Sequence, residues 1–268
     1  MIVASVVTYN TQYGYLQQLL DCLLPSKIDK IYIVDNSEID LISDKLLEYN
    51  KIEYIYGHGN IGYGAAHNIA IRKSISQDAM YHVVINPDIY FASSVISALA
   101  SFMDENQNVG QVMPKVIFPN GDLQYLCKLL PTPFDLIGRR FFRSFSFAKK
   151  RNDYFELKSS GYDKIMSVPY LSGCFMFLRV SSIKNIGLFD ENIFMYGEDI
   201  DYSRRMHLKF ETIYFPNVEI VHAHMQESYK SFKMLLVHIK SIIYYFNKWG
   251  WFFDKERKFL NKKVLKQF

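Results

Sequence analysis

From Ile2 to Ile85 short β-rich runs alternate with runs of helical periodicity, and few folds accept that order. Ile2 to Val7, Ile31 to Val34, Ile52 to Tyr56 and His82 to Ile85 each read as a strand bounded by polar or turn residues. Between them Tyr15 to Leu24, Leu41 to Tyr49 and Ala65 to Ile75 carry apolar residues at helical spacing, so three helices are expected. A β-α-β-α order implies an α/β protein with a mostly parallel central sheet flanked by helices. In such sheets ligands bind beyond the carboxyl ends of the strands.

Those ends are polar. Thr8-Tyr9-Asn10 follows the first strand, Asp35-Asn36-Ser37 the second, Gly57-His58-Gly59-Asn60 the third and Asn86-Pro87-Asp88 the fourth. Any one of these clusters is ordinary turn and cap chemistry, but four along one edge make a site. Asn60 to Asn68 adds Gly62 and Gly64 just before a helix, as a loop closely approaching a ligand requires. It is neither GxGxxG nor a Walker A loop. Asp35 could accept hydrogen bonds from a base or ribose, and Asp88 could hold a metal through its carboxylate.

The rest of the chain bounds the answer. Its 268 residues, 49% hydrophobic, suffice for one mixed domain. With 21 Phe and 20 Tyr against 13 Gly and 8 Pro, long disordered segments are not expected. The three cysteines, Cys22, Cys127 and Cys174, lie far apart and in no CxxC spacing, which points away from a disulfide framework or zinc site and fits a reducing cytosol. Met1 to Val7 lacks the basic leader and length of a signal peptide, so a cytoplasmic location is expected. No apolar run is long enough to span a bilayer, since His238, Lys240 and Ser241 interrupt Met234 to Phe246.

In the second half, Asp190, Glu191, Glu198, Asp199 and Asp201 pack five carboxylates into twelve residues, the last three opening a helix that ends near Leu208. Acids in a first helical turn are normal complements of the helix dipole. Here Phe194, Met195 and Tyr196 flank them, and partial desolvation would raise a carboxylate's pKa and suit it to act as a general base. His222 and His224 follow the strand-like Val218 to Val221, where an imidazole could complete a metal site with Asp88.

In order, Val6-Val-Thr-Tyr-Asn10, Val34-Asp-Asn-Ser37, Asn60-x-Gly-x-Gly-x-x-x-Asn68, Asn86-Pro-Asp88, Ser172 to Arg179, Gly187-x-Phe-Asp-Glu191, Gly197-Glu-Asp-Ile-Asp201 and His222-x5-Ser228 resemble glycosyltransferase family 2, especially its bacterial rhamnosyltransferase-like branch. The resemblance implies a GT-A fold over residues 1–228, with a nucleotide-sugar-binding half (1–110) and an acceptor-binding half (111–228), followed by a basic aromatic helical segment (229–268). It implies that Thr8, Tyr9, Asn10, Asp35, Asn60, Gly62, Asn86 and Asp88 line the donor pocket. Asp88 matches the last acid of the family's DxD metal motif, with neutral Asn86 in the first position. Metal binding, of Mg2+ or Mn2+, then rests on Asp88, the diphosphate and a histidine. His222 fits that role better than His224 because Ser228 falls at the branch's spacing. Asp199 matches the catalytic base, Glu198 would orient the acceptor or the base, and Asp201 would cap the helix or pair with Arg204 or Arg205. The implied activity is inverting transfer of a sugar, rhamnose from dTDP-rhamnose in this branch, from a nucleotide diphosphate donor to a saccharide acceptor on a polyprenyl diphosphate carrier, in surface polysaccharide synthesis. The alternatives are a sugar nucleotidyltransferase, which would want an Arg/Lys-rich glycine loop near the first strand, and a non-catalytic carbohydrate-binding protein of the same fold.

Ile137 to Arg151 holds six cations, four Phe and no acid, and Tyr229 to Phe268 holds ten Lys/Arg against two Asp/Glu in a chain of net charge +4. Cations among aromatics suit an anionic membrane surface, and peripheral attachment at the inner face of the plasma membrane is expected. A helix packing its aromatic face on the body, or a homodimer contact, would use the same residues. Nucleic acid is not expected, because no nucleic-acid module accompanies the charge.

Overall fold

A computed structural model of the chain describes residues 1–138, 145–223 and 232–268. With elements numbered in chain order, β1 (Ile2–Thr8), β2 (Lys30–Asp35), β3 (Ile52–Ile55) and β4 (Tyr81–Ile85) are parallel, in the spatial order β3-β2-β1-β4. Next to β4 lies β10 (Phe175–Arg179), antiparallel to it and to β6 (Val109–Ile117). The long β11 (Glu211–His222) runs parallel to β6, and the short β5 (Ile89–Tyr90) and β8 (Met166–Ser167) pair antiparallel with β11. β7 (Cys127–Lys128) and β9 (Tyr170–Leu171) form a separate ribbon. The helices are α1 (Tyr13–Leu23), α2 (Tyr63–Ser76), α3 (Ser94–Glu105), α4 (Ser146–Phe155), α5 (Val180–Ile186), α6 (Glu198–His207), α7 (Phe232–Trp249) and α8 (Lys255–Leu265).

β1, β2 and β4 are buried on both faces, which is why they read as nearly continuous apolar runs. Side chains alternate between two cores. Ile2, Ala4 and Val6 of β1 join Leu16, Leu19 and Leu20 of α1, whereas Val3 and Val7 join Ala66, Ala70 and Ile71 of α2.

All four expected strands form, as do the first and third helices. Leu41 to Tyr49 does not form an α-helix: it holds a single 3-10 turn at Ser43–Lys45. Asp40 Oδ1 accepts from the N–H groups of Ile42 and Ser43 and starts that turn, but Leu41 and Leu47 are exposed, Ile42 and Leu46 are buried in the core and Tyr49 packs partly buried against it. So few anchors over nine residues do not offset helix nucleation.

The C-terminal helices share the main core through Ile242, Tyr245 and Phe246 of α7 and Leu260 and Val264 of α8. They are also locked to α6. Buried Arg204 donates to Asp254 Oδ2 at 2.7 Å and Oδ1 at 2.9 Å, and its guanidinium lies 4.0 Å from the Trp249 ring centroid. Among the described residues no helix is long and apolar enough to cross a membrane.

Candidate active site

Register brings the polar strand ends together. Thr8 pairs with Asp35 across β1 and β2, and Val6 pairs with Ile85 across β1 and β4, so Asn86 to Asp88 emerges beside Thr8. Thr8 is buried, and its Oγ1 has no hydrogen-bond partner among the described residues, the usual sign of a place for a ligand or water. Asp35 is buried too. Its Oδ1 accepts from the N–H and hydroxyl of Ser37 (3.0 and 2.6 Å) and its Oδ2 from the Tyr54 hydroxyl (2.8 Å), so it shapes this wall from behind. Tyr9 and Asn10 are exposed at the rim, with Asn10 in the left-handed region at φ 49° and its N–H on Ser37 Oγ.

Asn36 holds the glycine loop to this wall: its Nδ2 donates to the Gly62 carbonyl (3.1 Å), and its Oδ1 accepts from His58 Nε2 (3.0 Å). Asn60 Oδ1 accepts from the Gly62 N–H at 3.2 Å. Gly62 has φ +93°, and a Cβ there would sit 2.4 Å from the Phe194 carbonyl oxygen. Only glycine lets α2 start this close to the loop that leads into the acid motif.

The five clustered acids separate by partner. Burial would push Asp190 up, but Lys248 and Asn192 outweigh it and hold it at about 2. Glu191 pairs with Arg72. Asp201, fully buried, accepts from Arg205 Nε, Trp249 Nε1 and Lys248 Nζ, each at 2.8 Å, so its partner is Arg205 rather than Arg204. Glu198 and Asp199 remain. Glu198 Oε2 has no hydrogen-bond partner among the described residues, and burial, then the Asp199 charge, push its carboxyl up to about 8. Burial also raises Asp199, opposed by the Gly173 N–H that donates to its Oδ2 at 3.0 Å and by the charge of Lys128. Two adjacent carboxyls, Glu198 buried and Asp199 half-buried, share one negative charge near neutral pH. The hydrogen-bonded Asp199 is the better place for it, with Glu198 neutral beside it. The preceding Tyr196 sits at φ 68°, a strained conformation for a non-glycine residue at the mouth of the motif.

A side chain absent from the expected site, Tyr63, ties this acid pair to the strand ends. Its hydroxyl donates within reach of two acceptors, Asn86 Oδ1 at 2.9 Å and the carbonyl of Gly173 at 2.8 Å, the residue whose N–H holds Asp199. Burial, then Glu198, Cys174, Asp199 and Asp88, push the Tyr63 phenol well above its ordinary value, so all four lie within electrostatic reach of one hydroxyl. The Cys174 thiol is likewise pushed up to about 12 by burial, with Asp88 and Asp199 adding to it.

Asp88 meets His222 at the far end of the same edge. β5 pairs Ile89 with His222, the Ala223 N–H donates to the Asp88 carbonyl at 3.0 Å, and His222 Nε2 lies 3.4 Å from Asp88 Oδ1. Gln124, also unexpected, decides the tautomer. Its Nε2 donates to the His222 carbonyl at 2.7 Å, which turns its Oε1 to Nδ1 at 3.0 Å. Nδ1 of the neutral ring then carries the proton and Nε2 faces the carboxylate, the arrangement in which histidines ligate metals. Among the described residues no three His, Cys, Asp or Glu side chains cluster as a metal site, and those residues bring one carboxylate and one imidazole together here. His224 and Ser228 lie outside the described residues.

The chain is similar in sequence and in fold to known proteins. The rhamnosyltransferase WbbL of Escherichia coli K12 is 26% identical over 253 residues, 91% of this chain and 92% of that protein. The N-acetylglucosaminyl-diphospho-decaprenol L-rhamnosyltransferase of Mycobacterium tuberculosis H37Rv is 24% identical over 207 residues, 72% of this chain, which spans 66% of that protein's length. Among solved structures, GalNAc-T7 with UDP, GalNAc and Mn2+ superposes at TM-score 0.60 and 13% identity, over 82% of this chain and 42% of that one. Staphylococcus aureus TarS superposes at TM-score 0.60 and 16% identity, over 100% of this chain and 42% of that one. These likenesses show the GT-A fold, as the sequence motifs implied. The Glycosyl transferase family 2 model matches residues 4–187, through the glycine loop, Asn86-Pro-Asp88 and the Gly173 turn, and the chain therefore belongs to glycosyl transferase family 2, with its likeness on the rhamnosyltransferase-like side.

Proposed function

We propose that this protein is an inverting glycosyltransferase that moves a sugar, rhamnose from dTDP-rhamnose, to a saccharide acceptor carried on a polyprenyl diphosphate. The observation that carries the proposal is the Tyr63 bridge, which fixes Asn86, beside Asp88, and Gly173, beside Asp199, to one hydroxyl. The Tyr63 hydroxyl links the turn that carries Asp88 to the turn that holds Asp199, which supports a donor-side carboxylate and an acceptor-side base serving one in-line displacement.

In that displacement Asp199 takes the proton of the attacking acceptor hydroxyl. Neutral Glu198 beside it prevents a second buried negative charge, and the Gly173 N–H keeps the Asp199 carboxylate aimed. Thr8 Oγ1 and the backbone around Asn10 and Gly62 bind the nucleoside end of the donor, with Asp35 holding Ser37 and Tyr54 in place. Asp88 and His222 would hold Mg2+ or Mn2+, which when bound neutralises charge on the departing nucleotide diphosphate. Such an acceptor brings the protein to a membrane surface as a peripheral partner.

The decisive experiment is Asp199→Asn, with nucleotide binding and turnover measured separately. Donor affinity should persist while turnover falls by roughly two to four decades, the usual worth of a general base. Near-normal turnover would place the base elsewhere. Free nucleoside diphosphate is the expected product, and released pyrophosphate would indicate nucleotidyl transfer instead.

A further inference from the structure

Lined by residues of 129–135, 151–155 and 251–265 runs a groove of about 440 Å³ that shares no residue with the site above. Arg151, Arg257, Lys258 and Lys262 line it, with Asp135 as the acid among its lining residues. Asp135 is buried and already held by Arg151, through Nε at 2.6 Å and Nη2 at 2.9 Å. Arg257 is 4% exposed, and its guanidinium donates to the carbonyls of Pro131 and Trp251 rather than to a carboxylate. Lys258 and Lys262, one turn apart on α8, are exposed and form no ion pair among the described residues. The groove therefore keeps an excess of positive charge beside apolar walls, which favours an anion.

Its rim is aromatic and exposed. Phe252 lines the groove and is 71% exposed, and Phe253 next to it is 94% exposed. Tyr154 also lines the groove, and exposed Phe147 packs tilted against Phe134, ring centroids 6.1 Å apart, beside Asp135 and Arg151. Exposed phenylalanines around a basic cleft mark a contact surface. A two-fold contact between copies would set each basic face against itself, because an isologous interface repeats the same patch. A surface of opposite charge with an apolar layer beneath it fits both features at once.

We propose that this groove and its rim dock on an anionic phospholipid membrane, with Lys258 and Lys262 on the headgroup phosphates and Phe252 and Phe253 entering the acyl boundary. Insertion of apolar side chains combined with attraction of basic ones is how proteins without a spanning helix hold an interface. The next residue, Asp254, grips Arg204 of α6, so the docked surface is tied rigidly to the helix that opens with Glu198 and Asp199. This deepens the transfer reading by giving a lipid-carried acceptor a surface to arrive from, but its test uses neither donor nor acceptor, so either can fail alone.

The test is sedimentation of the full chain with vesicles of phosphatidylcholine, with and without phosphatidylglycerol. The native protein should pellet with the anionic vesicles and be released by high salt. The charge reversal K258E/K262E should lower partition at least about tenfold. The variant F252S/F253S, which alters no charge, should lower it about tenfold and leave a salt-sensitive remainder. All four positions are exposed, and unchanged thermal melting would establish that the variants are folded. Equal sedimentation with neutral and anionic vesicles, or variants that bind as the native protein does, would overturn the proposal. So would a native dimer that these variants dissociate while the native protein ignores vesicles.

Discussion

Replacing Glu198 with Gln removes a carboxyl that the fold holds neutral well above its ordinary range. In the unfolded chain Glu198 loses its proton near 4.5, whereas in the folded protein burial and the Asp199 charge delay that loss to about 8. Between these values the unfolded state binds fewer protons than the folded one, so the native protein's stability falls as pH rises, and the full cost is present above pH 8. At about 1.36 kcal/mol per pH unit, the window amounts to at most roughly 4–5 kcal/mol. Glu198→Gln cannot ionise and escapes this loss. Urea unfolding followed by circular dichroism from about pH 5 to about pH 9 should show the variant gaining on the native protein by several kcal/mol across the window. A difference between the two that stays flat with pH would refute the reasoning, because it would mean that Glu198 ionises as easily folded as unfolded.

Three further outcomes follow from named contacts. Tyr63→Phe removes the hydroxyl shared by Asn86 Oδ1 and the Gly173 carbonyl; turnover should fall by a margin on the order of 1–3 kcal/mol in activation free energy, with nucleotide affinity nearly unchanged in equilibrium binding. Gln124→Leu removes the acceptor of the His222 Nδ1 proton, and metal affinity, read by titrating divalent cation against nucleotide binding, should weaken roughly 10- to 100-fold. Asp254→Asn leaves the buried Arg204 guanidinium with Glu256 Oε2, at 2.9 Å, as its remaining carboxylate, and urea unfolding at neutral pH should show a loss of at most about 3–5 kcal/mol. Burial pushes Asp254 up, but Arg204 outweighs it and holds the carboxyl below its ordinary value, so that stabilisation exists above the unfolded carboxyl's pKa. It is lost as pH falls through the folded one, and the gap between variant and native protein should close in acid.

The parallel half of the sheet was legible because its code is local. Short, nearly continuous apolar runs ending in Thr8, Asp35 and Asn86 need only their own neighbours to become strands with polar ends. The same local rule misplaced Leu41 to Tyr49, where periodicity was present but Leu41 and Leu47 stay exposed and the core takes up only part of the segment. Motif order also placed Asp88 and His222 on one site, and the fold brings them to 3.4 Å.

What the amino-acid order could not supply was the sorting of like residues by their distant partners. Asp190, Glu191, Glu198, Asp199 and Asp201 look alike in the chain. Three are neutralised by Lys248, Arg72 and Arg205, and Arg72 lies 119 positions from Glu191. Glu198 is left with burial and the Asp199 charge, and Asp199 with burial, the Gly173 N–H and the charge of Lys128. Tyr63 read as one aromatic among 20 Tyr until Gly173, 110 positions away, arrived beside it. Backbone preference and hydrophobic period act between neighbours in sequence and are written there, whereas desolvation and charge pairing depend on what folding brings within a few ångströms, and it is these that separate a base from a salt bridge.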